Sequence, residues 1–329
     1  MFNNSIVTKS SAIYKFLIEL KITLYLTTPQ IHHIILFINS MVTKGYCGKV
    51  TDVSDFMPVR HRTNIGKFLS ESPWDENFVE KAIKKCGYHH SHLKGKVVYG
   101  HQLVTVMLLC DTLVMPYTMV IYDKENMSKI QMAIEFIKSL PKPVNEGYVL
   151  CDSWYSNKKL FAVSKQSGYA YIGGLRTNRV IYPKGREKLG IKLNHAKDSL
   201  IALCWLKEAL FKPGCLRAFI SLDTTITTDE LLNHYKYRWP IETFFRETKK
   251  YLGLNHYQVR SNRSINRYFL LLMITYVYCE LEVSNGTLNF NVGIKSARNQ
   301  SKKERVSWIF NQTDSGVPLE AIFKTLKIA

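Results

Sequence analysis

The chain has 329 residues, 46% of them hydrophobic, with 45 Lys+Arg against 26 Asp+Glu and a formal net charge of +19 at pH 7. That apolar fraction supplies a packed core and excludes a disordered tail, and the length suits one large domain with a smaller one. The cationic excess favours a phosphate backbone as partner through counterion release, although solubility alone does not require it. Seven cysteines, at 47, 86, 110, 151, 204, 215 and 279, include no CxxC pair, so they indicate neither a disulfide framework nor a zinc knuckle and fit a reducing cytoplasm. Met1 to Ala12 lacks a basic start followed by an apolar core, so no secretory leader is expected. The apolar run Tyr268 to Cys279 falls well short of the roughly twenty residues that span a bilayer, which predicts a buried helix and no membrane partner.

In chain order, residues 11–44 predict two helices parted near Thr27-Thr28-Pro29, where a Thr cap precedes a helical-start proline. Ile31, Ile34, Ile35, Leu36 and Ile38 form an apolar stripe, and Gly45-Tyr46-Cys47-Gly48 ends the unit. A short helical pair follows from Lys49 to Leu69, with Arg60, His61, Arg62 and Lys67 nearby. Small basic helices joined by tight turns suit a helix-turn-helix on DNA, and they equally suit a plain bundle with a solvated rim.

From Lys96 the period changes to that of strands. Leu103–Leu109 and the runs Leu113–Met115 and Tyr117–Tyr122 flank a turn at Cys110-Asp111-Thr112, which predicts a hairpin. A helix over Met127–Leu140 stops at Pro141 and Pro143. A buried strand at Tyr148–Cys151, a helix at Asn157–Gln166 and a strand at Tyr169–Leu175 come next. Arg176 to Lys212, rich in Lys, Gly and Asn, has no readable period, and Leu216–Leu222 resumes as a strand before Thr228 caps a further helix. The pattern predicts an α/β, ribonuclease-H-like mixed sheet flanked by helices, behind an N-terminal all-helical segment. The expected division is 1–86 helical, 87–280 catalytic with a shortened insertion at about 176–212, and a helical tail at 281–329.

Within that further helix, Tyr235, Arg238, Glu242 and Lys249 stand at offsets of 0, 3, 7 and 14 residues. At about 100° per residue they share an arc roughly 60° wide, one carboxylate among three groups able to hold phosphates. A solvated basic face is the bland alternative, and Pro240 either kinks the helix or begins a new one.

The tyrosine, arginine, glutamate and lysine with two, three and six residues between them resemble the Y-R-E-K signature of the cut-and-paste DDE transposases of bacterial insertion sequences. Gly147-Tyr148-Val149-Leu150-Cys151-Asp152-Ser153-Trp154-Tyr155-Ser156 likewise resembles the family's second-acid strand. The resemblance implies catalytic and metal-binding roles for Asp152 and Glu242. It implies DNA or phosphate contacts by Tyr235, Arg238, Lys249 and Arg246, and end-sequence binding by the N-terminal helices. The partners it implies are double-stranded DNA, as element ends and as target, and a second copy of the chain in a homodimer. It implies no small-molecule substrate and a place in the bacterial cytoplasm with the nucleoid. The chemistry is Mg²⁺- or Mn²⁺-dependent cleavage and strand transfer, served by two ions about 4 Å apart on hard oxygen ligands. Taken alone, Asp152 also reads as a turn or cap residue ahead of Asn157.

One part of the family pattern is missing. Its first aspartate should sit on a buried strand ahead of the hairpin, yet none of Glu19, Asp52, Asp55, Glu71, Asp75, Glu76 and Glu80 follows such a strand. The first strand of the sheet, and the acid that bridges both ions, read as deleted, so impaired catalysis is expected. Asp111 is a weak substitute because it lies in the hairpin turn. His89, His90, His92 and His101 lack metal-ligand spacing and read as loop histidines. The alternatives to an active transposase are a catalytically dead DNA-binding remnant or repressor of transposition, and a nuclease on the same fold that cuts without joining.

Overall fold

A computed structural model describes residues 11–56, 62–84, 102–110, 113–123, 125–176, 199–212, 214–259, 261–281 and 289–326. In chain order the helices and strands are α1 (Ser11–Glu19), α2 (Thr28–Val42), α3 (Val50–Phe56), α4 (Arg62–Ser70), α5 (Glu76–Lys84), β1 (Gln102–Cys110), β2 (Leu113–Tyr122), α6 (Lys129–Lys138), β3 (Tyr148–Cys151), α7 (Lys158–Gln166), β4 (Ala170–Leu175), β5 (Leu200–Cys204), β6 (Arg217–Ser221), α8 (Thr228–Lys236), α9 (Pro240–Tyr251), α10 (Asn262–Leu281), α11 (Phe290–Asp314) and α12 (Leu319–Leu326). They divide into two compact units, one holding Met1–Tyr88, Met107–Met119 and Thr243–Ala329, the other His89–Val106 and Val120–Glu242.

The first unit is built on two helices apolar nearly all round. In α2 the residues Ile31, Ile34, Ile35, Leu36 and Ile38 are buried as the stripe requires, with Phe37 and Met41 buried beside them. The α2 start is held by the Thr27 N–H donating to Gln30 Oε1 at 2.8 Å, next to Pro29 in the first turn. In α10 every residue from Tyr268 to Cys279 is buried, as expected of a core helix. No described helix is long and apolar enough to cross a membrane.

Arg267, on α10, is 0% exposed and closes the end of α4. Its guanidinium donates to the carbonyls of Phe68, Leu69, Ser72 and Trp74 at 2.7–3.2 Å and to Glu76 Oε1 at 2.7 Å. The last carbonyls of a helix have no partner within it, and a cation there also meets the negative end of the helix dipole.

The second unit is a four-stranded mixed sheet of order β3-β4-β6-β5. β3 runs parallel to β4 with Cys151 opposite Gly173, β4 is antiparallel to β6, and β5 is antiparallel to β6. Strand alternation sends Val149 and Cys151 to a core shared with Ala133 of α6 and Leu160 of α7. It sends Tyr148 and Leu150 to the opposite core, with Leu231 of α8. Burial on both faces explains why these strands read as unbroken apolar runs.

The expected mixed α/β sheet with flanking helices and a helical N-terminal segment is present, with four differences of detail. β1 and β2 form a two-stranded sheet of their own, hydrogen-bonded to no other described strand. β2 runs unbroken through Pro116, which a two-stranded ladder tolerates because one side of each strand needs no N–H. β5 lies where no period was legible, because its five apolar residues, with Ile201 alone β-branched, show no alternation. The cap of α8 is Thr227 rather than Thr228, because Glu230 sits three residues on and closes a reciprocal capping box.

Candidate active site

β3 pairs with β4 as far as Cys151, and Asp152 is the first residue beyond the ladder. Its Oδ1 accepts the Trp154 N–H at 2.8 Å and its carbonyl accepts the Tyr155 N–H at 3.2 Å, an Asx turn that bends the chain off the sheet. The cap of α7 is Asn157, whose Oδ1 accepts the Lys159 and Leu160 N–H groups. The turn reading of Asp152 therefore holds and the cap reading does not, because the cap, Asn157, lies five residues further on.

Of the two readings of Pro240, the start of a new helix is the one the structure has, so the four signature residues do not share one helix. α8 ends at Lys236, and Tyr237, Arg238 and Trp239 form a tight turn in which each N–H bonds the carbonyl three residues back at 3.0–3.1 Å. α9 then starts afresh with Pro240 at its first position, where a missing N–H leaves no helical bond unmade. Tyr235 thus lies in the last turn of α8, Arg238 in the linking turn, and Glu242, Arg246 and Lys249 on α9.

Tyr235 packs its ring on Phe219 of β6, with centroids 4.7 Å apart. A methyl group at Gly174 of β4 would stand 3.3 Å from the Tyr235 hydroxyl and 3.2 Å from the Ser153 nitrogen, so both approach that glycine closely. The Arg238 Nη2 donates to Glu242 Oε1 at 2.7 Å, with the two side chains 14% and 26% exposed. Burial works against the Arg238 charge, but Tyr235, Glu242 and then Asp152 outweigh it and hold the guanidinium protonated more firmly than usual. Burial raises the Tyr235 phenol, Arg238 draws it down and Asp152 pushes it up. Asp152 and Glu242 therefore act on one arginine, whose Nε is buried with no hydrogen-bond partner. A buried guanidinium donor left unmade suits an acceptor oxygen such as that of a phosphate.

Lys249 and Arg246 belong to the stretch of α9 that counts with the helical unit. Lys249 Nζ stands 5.8 Å from the Phe245 ring centroid, and Arg246 Nη2 donates to Thr243 Oγ1 at 3.3 Å. Asp223 is bonded by the Tyr148 hydroxyl at 3.0 Å, and Tyr148 begins β3, so this carboxylate lies at the sheet end away from Asp152. Among the described residues no group of three or more His, Cys, Asp or Glu is placed to hold a metal ion. Asp111, Arg60, His61 and the histidines at 89, 90, 92 and 101 lie outside the described residues.

Exposed aromatic residues near the acids escaped the sequence reading. Trp154 is 48% exposed with the Arg176 guanidinium 4.9 Å over its ring, and Tyr237 and Trp239 are 52% and 57% exposed. The signal was on the page, since Trp154 follows Asp152 by two residues and Trp239 precedes Glu242 by three.

A mixed sheet whose edge strand β3 leads into an aspartate, with an arginine in the turn before a helix that opens with a glutamate, is the frame of a DDE-type transposase domain. The fold matches the solved cryo-EM structure of a piggyBac transposase synaptic complex with hairpin DNA, at a TM-score of 0.52 and 12% identity, over 99% of this chain and 85% of that one. The model of the family described as Transposase DDE domain matches residues 66–278, well over half of the sequence. The chain belongs to that family, whose members generally use divalent metal ions. No curated protein matches it at a significant level.

Proposed function

We propose that this chain is an insertion-sequence transposase that binds the ends of its element and contacts the scissile phosphate at the Asp152–Arg238–Glu242 cluster, with catalysis weakened by loss of the first acid. The observations that carry this reading are the Arg238–Glu242 pair at 2.7 Å and the close approach of Tyr235 and of Ser153, the residue after Asp152, to Gly174. Asp152 and Glu242 each keep one oxygen clear of protein hydrogen bonds, and Mg²⁺ is commonly held by one or two carboxylates with water and substrate phosphate completing its shell. The donor set therefore fits one hard divalent ion better than a bridged pair. When bound, such an ion polarises a phosphate oxygen and generates a nucleophile at neutral pH.

The chain's own groups do the rest. Arg238 turns its fork from Glu242 to a phosphate, and Tyr235 offers a phenol hydroxyl beside it. Lys249 and Arg246 add positive charge along α9, and α3 and α4, with Lys67 and Arg62, supply contacts to end DNA. A homodimer would bring two ends together. A second reading, a silent DNA-binding remnant that represses intact copies, draws support from Arg238 neutralising one of only two acids.

The test is a duplex carrying the flanking inverted repeats, incubated with the protein in Mg²⁺ and then Mn²⁺. Salt-sensitive binding to the ends with very weak 3′ nicking is expected. No preference for end DNA over random duplex would sink the transposase reading. Binding with no nicking in either metal would leave the silent remnant, and efficient nicking abolished by Asp111→Ala would show that the hairpin turn supplies the first acid.

A further inference from the structure

Beneath Asp152 runs a chain of buried polar groups that the chemistry above leaves unused. Ser156, 0% exposed, donates its hydroxyl to the Gly174 carbonyl at 2.6 Å. Its oxygen lies 2.9 Å from the Tyr171 hydroxyl, itself on a fully buried side chain of β4. Because the serine hydrogen is committed to Gly174, the tyrosine is the donor in that contact. The line therefore runs from Tyr171 through Ser156 to the Gly174 carbonyl. Gly173 leaves the room for it, since a methyl group there would lie 2.6 Å from the Tyr171 hydroxyl and 2.8 Å from Ser156 Oγ.

Both ends of the short loop that holds Asp152 are tied to β4, Cys151 through its ladder pairing with Gly173 and Ser156 through Tyr171 and the Gly174 carbonyl. Cys151 is the residue before it, and Ser156 closes the loop one residue ahead of the α7 cap. The anchored strand, β4, is also the one that Tyr235 approaches through Gly174. We propose that Ser156 and Tyr171 are positioning residues that aim the Asp152 carboxylate at the divalent cation and phosphate, an inference that rests on the reading of Asp152 given above. Linked hydroxyls in a buried site polarise one another and fix a single arrangement, and partners behind a metal ligand typically change metal affinity by 10–100-fold.

Mn²⁺ binding to the full chain, followed by electron paramagnetic resonance, tests this. Ser156→Ala is expected to weaken Mn²⁺ binding by about 10-fold. Tyr171→Phe, which keeps the Ser156–Gly174 bond, is expected to weaken it less. Affinity for end DNA in metal-free buffer should stay within twofold for both. Asp152→Asn sets the reference loss, and Ser156→Ala/Asp152→Asn should bind Mn²⁺ no worse than Asp152→Asn alone, a coupling that a merely structural serine would not show. Full losses that add in the double variant, or wild-type Mn²⁺ affinity in a folded Ser156→Ala, overturn the proposal. If Ser156→Ala does not fold, wild-type affinity in Tyr171→Phe overturns it instead. If Asp152→Asn itself leaves Mn²⁺ binding unchanged, the metal-ligand reading of Asp152 fails, an outcome distinct from failure of the positioning role.

Discussion

Replacing Arg267 by methionine should do more damage than any other single change in the helical unit. The guanidinium makes five hydrogen bonds, four to carbonyls at the end of α4 and in the turn after it and one to Glu76, and none of its side chain meets solvent. Methionine fills a similar volume but donates nothing, so the Leu69 and Trp74 carbonyls lose this partner outright, while Phe68 keeps the Trp74 indole, Ser72 the Trp74 N–H and Glu76 the Arg263 guanidinium. Each buried orphan costs about 1–3 kcal/mol, but the losses are not additive once water and backbone relax. A net loss of about 3–5 kcal/mol is the measured range for removing one member of a buried charged pair. Arg267→Lys retains the charge with at most three donors on a compact head, and should lose about 2 kcal/mol.

Equilibrium urea unfolding followed by tryptophan fluorescence reads this directly, since Trp74 stacks on Phe68 at 5.4 Å and lies 4.5 Å under the Arg267 guanidinium. A pH series adds a second check. Burial opposes the charge on Glu76, but hydrogen bonds from Arg267, from its own backbone and from Arg263 prevail and hold its pKa below 4.5. A depressed carboxylate contributes stability that is present above its unfolded pKa and lost as pH falls through the folded value. The difference between wild type and Arg267→Met should therefore shrink below about pH 4. A loss under about 1 kcal/mol for methionine, or equal midpoints for lysine and arginine, would refute the capping argument.

Three further outcomes follow. A double-mutant cycle on Arg238→Gln and Glu242→Gln should return a coupling of about 1 kcal/mol in urea unfolding, because the pair is only partly screened by solvent, and a value under about 0.3 would show that it is incidental. Glu280 on α10 is pushed up to about 7 by burial, with Tyr276 pulling down and Glu247 pushing up, so its contribution is complete below about pH 4.5 and is lost as pH rises through 7. The urea midpoint should therefore fall between pH 5 and pH 8, and Glu280→Gln should flatten that fall. Gly48 sits at φ +92°, where a methyl group would collide with the Gly253 carbonyl, so Gly48→Ala should lose about 2–3 kcal/mol or more. Gly316→Ala, at φ +77° with open space around it, should lose only about 1 kcal/mol by the same assay.

Much of this architecture is written in local pattern. β3 was readable to the residue because Tyr148–Cys151 is a short apolar run between a glycine and an aspartate, and α10 because twelve apolar residues need a core. The placing of Arg238 and Glu242 on one side was legible as helical spacing, and the structure adds that they form an ion pair. The placing survives the break at Pro240 because the tight turn still brings a residue four places on to the same side. What the sequence could not reveal depends on distant partners. Nothing near Arg267 announces that it caps a helix about two hundred residues earlier, and Arg267 reads locally as one more surface cation. Ser156 and Tyr171 look like ordinary loop and strand residues until β4 lies beside the Asp152 loop. β5 was illegible because a five-residue, wholly apolar strand has no alternation of its own.

The separation of 199 residues between Arg267 and the Phe68 carbonyl also has a meaning in time. At a synthesis rate of about 5–20 residues per second, α4 leaves the ribosome roughly 10–40 s before the side chain that seals its end. Through that interval the nascent N-terminal helices lack their lock. Their mature shape, and any grip on DNA that depends on it, becomes available only after α10 has been synthesised.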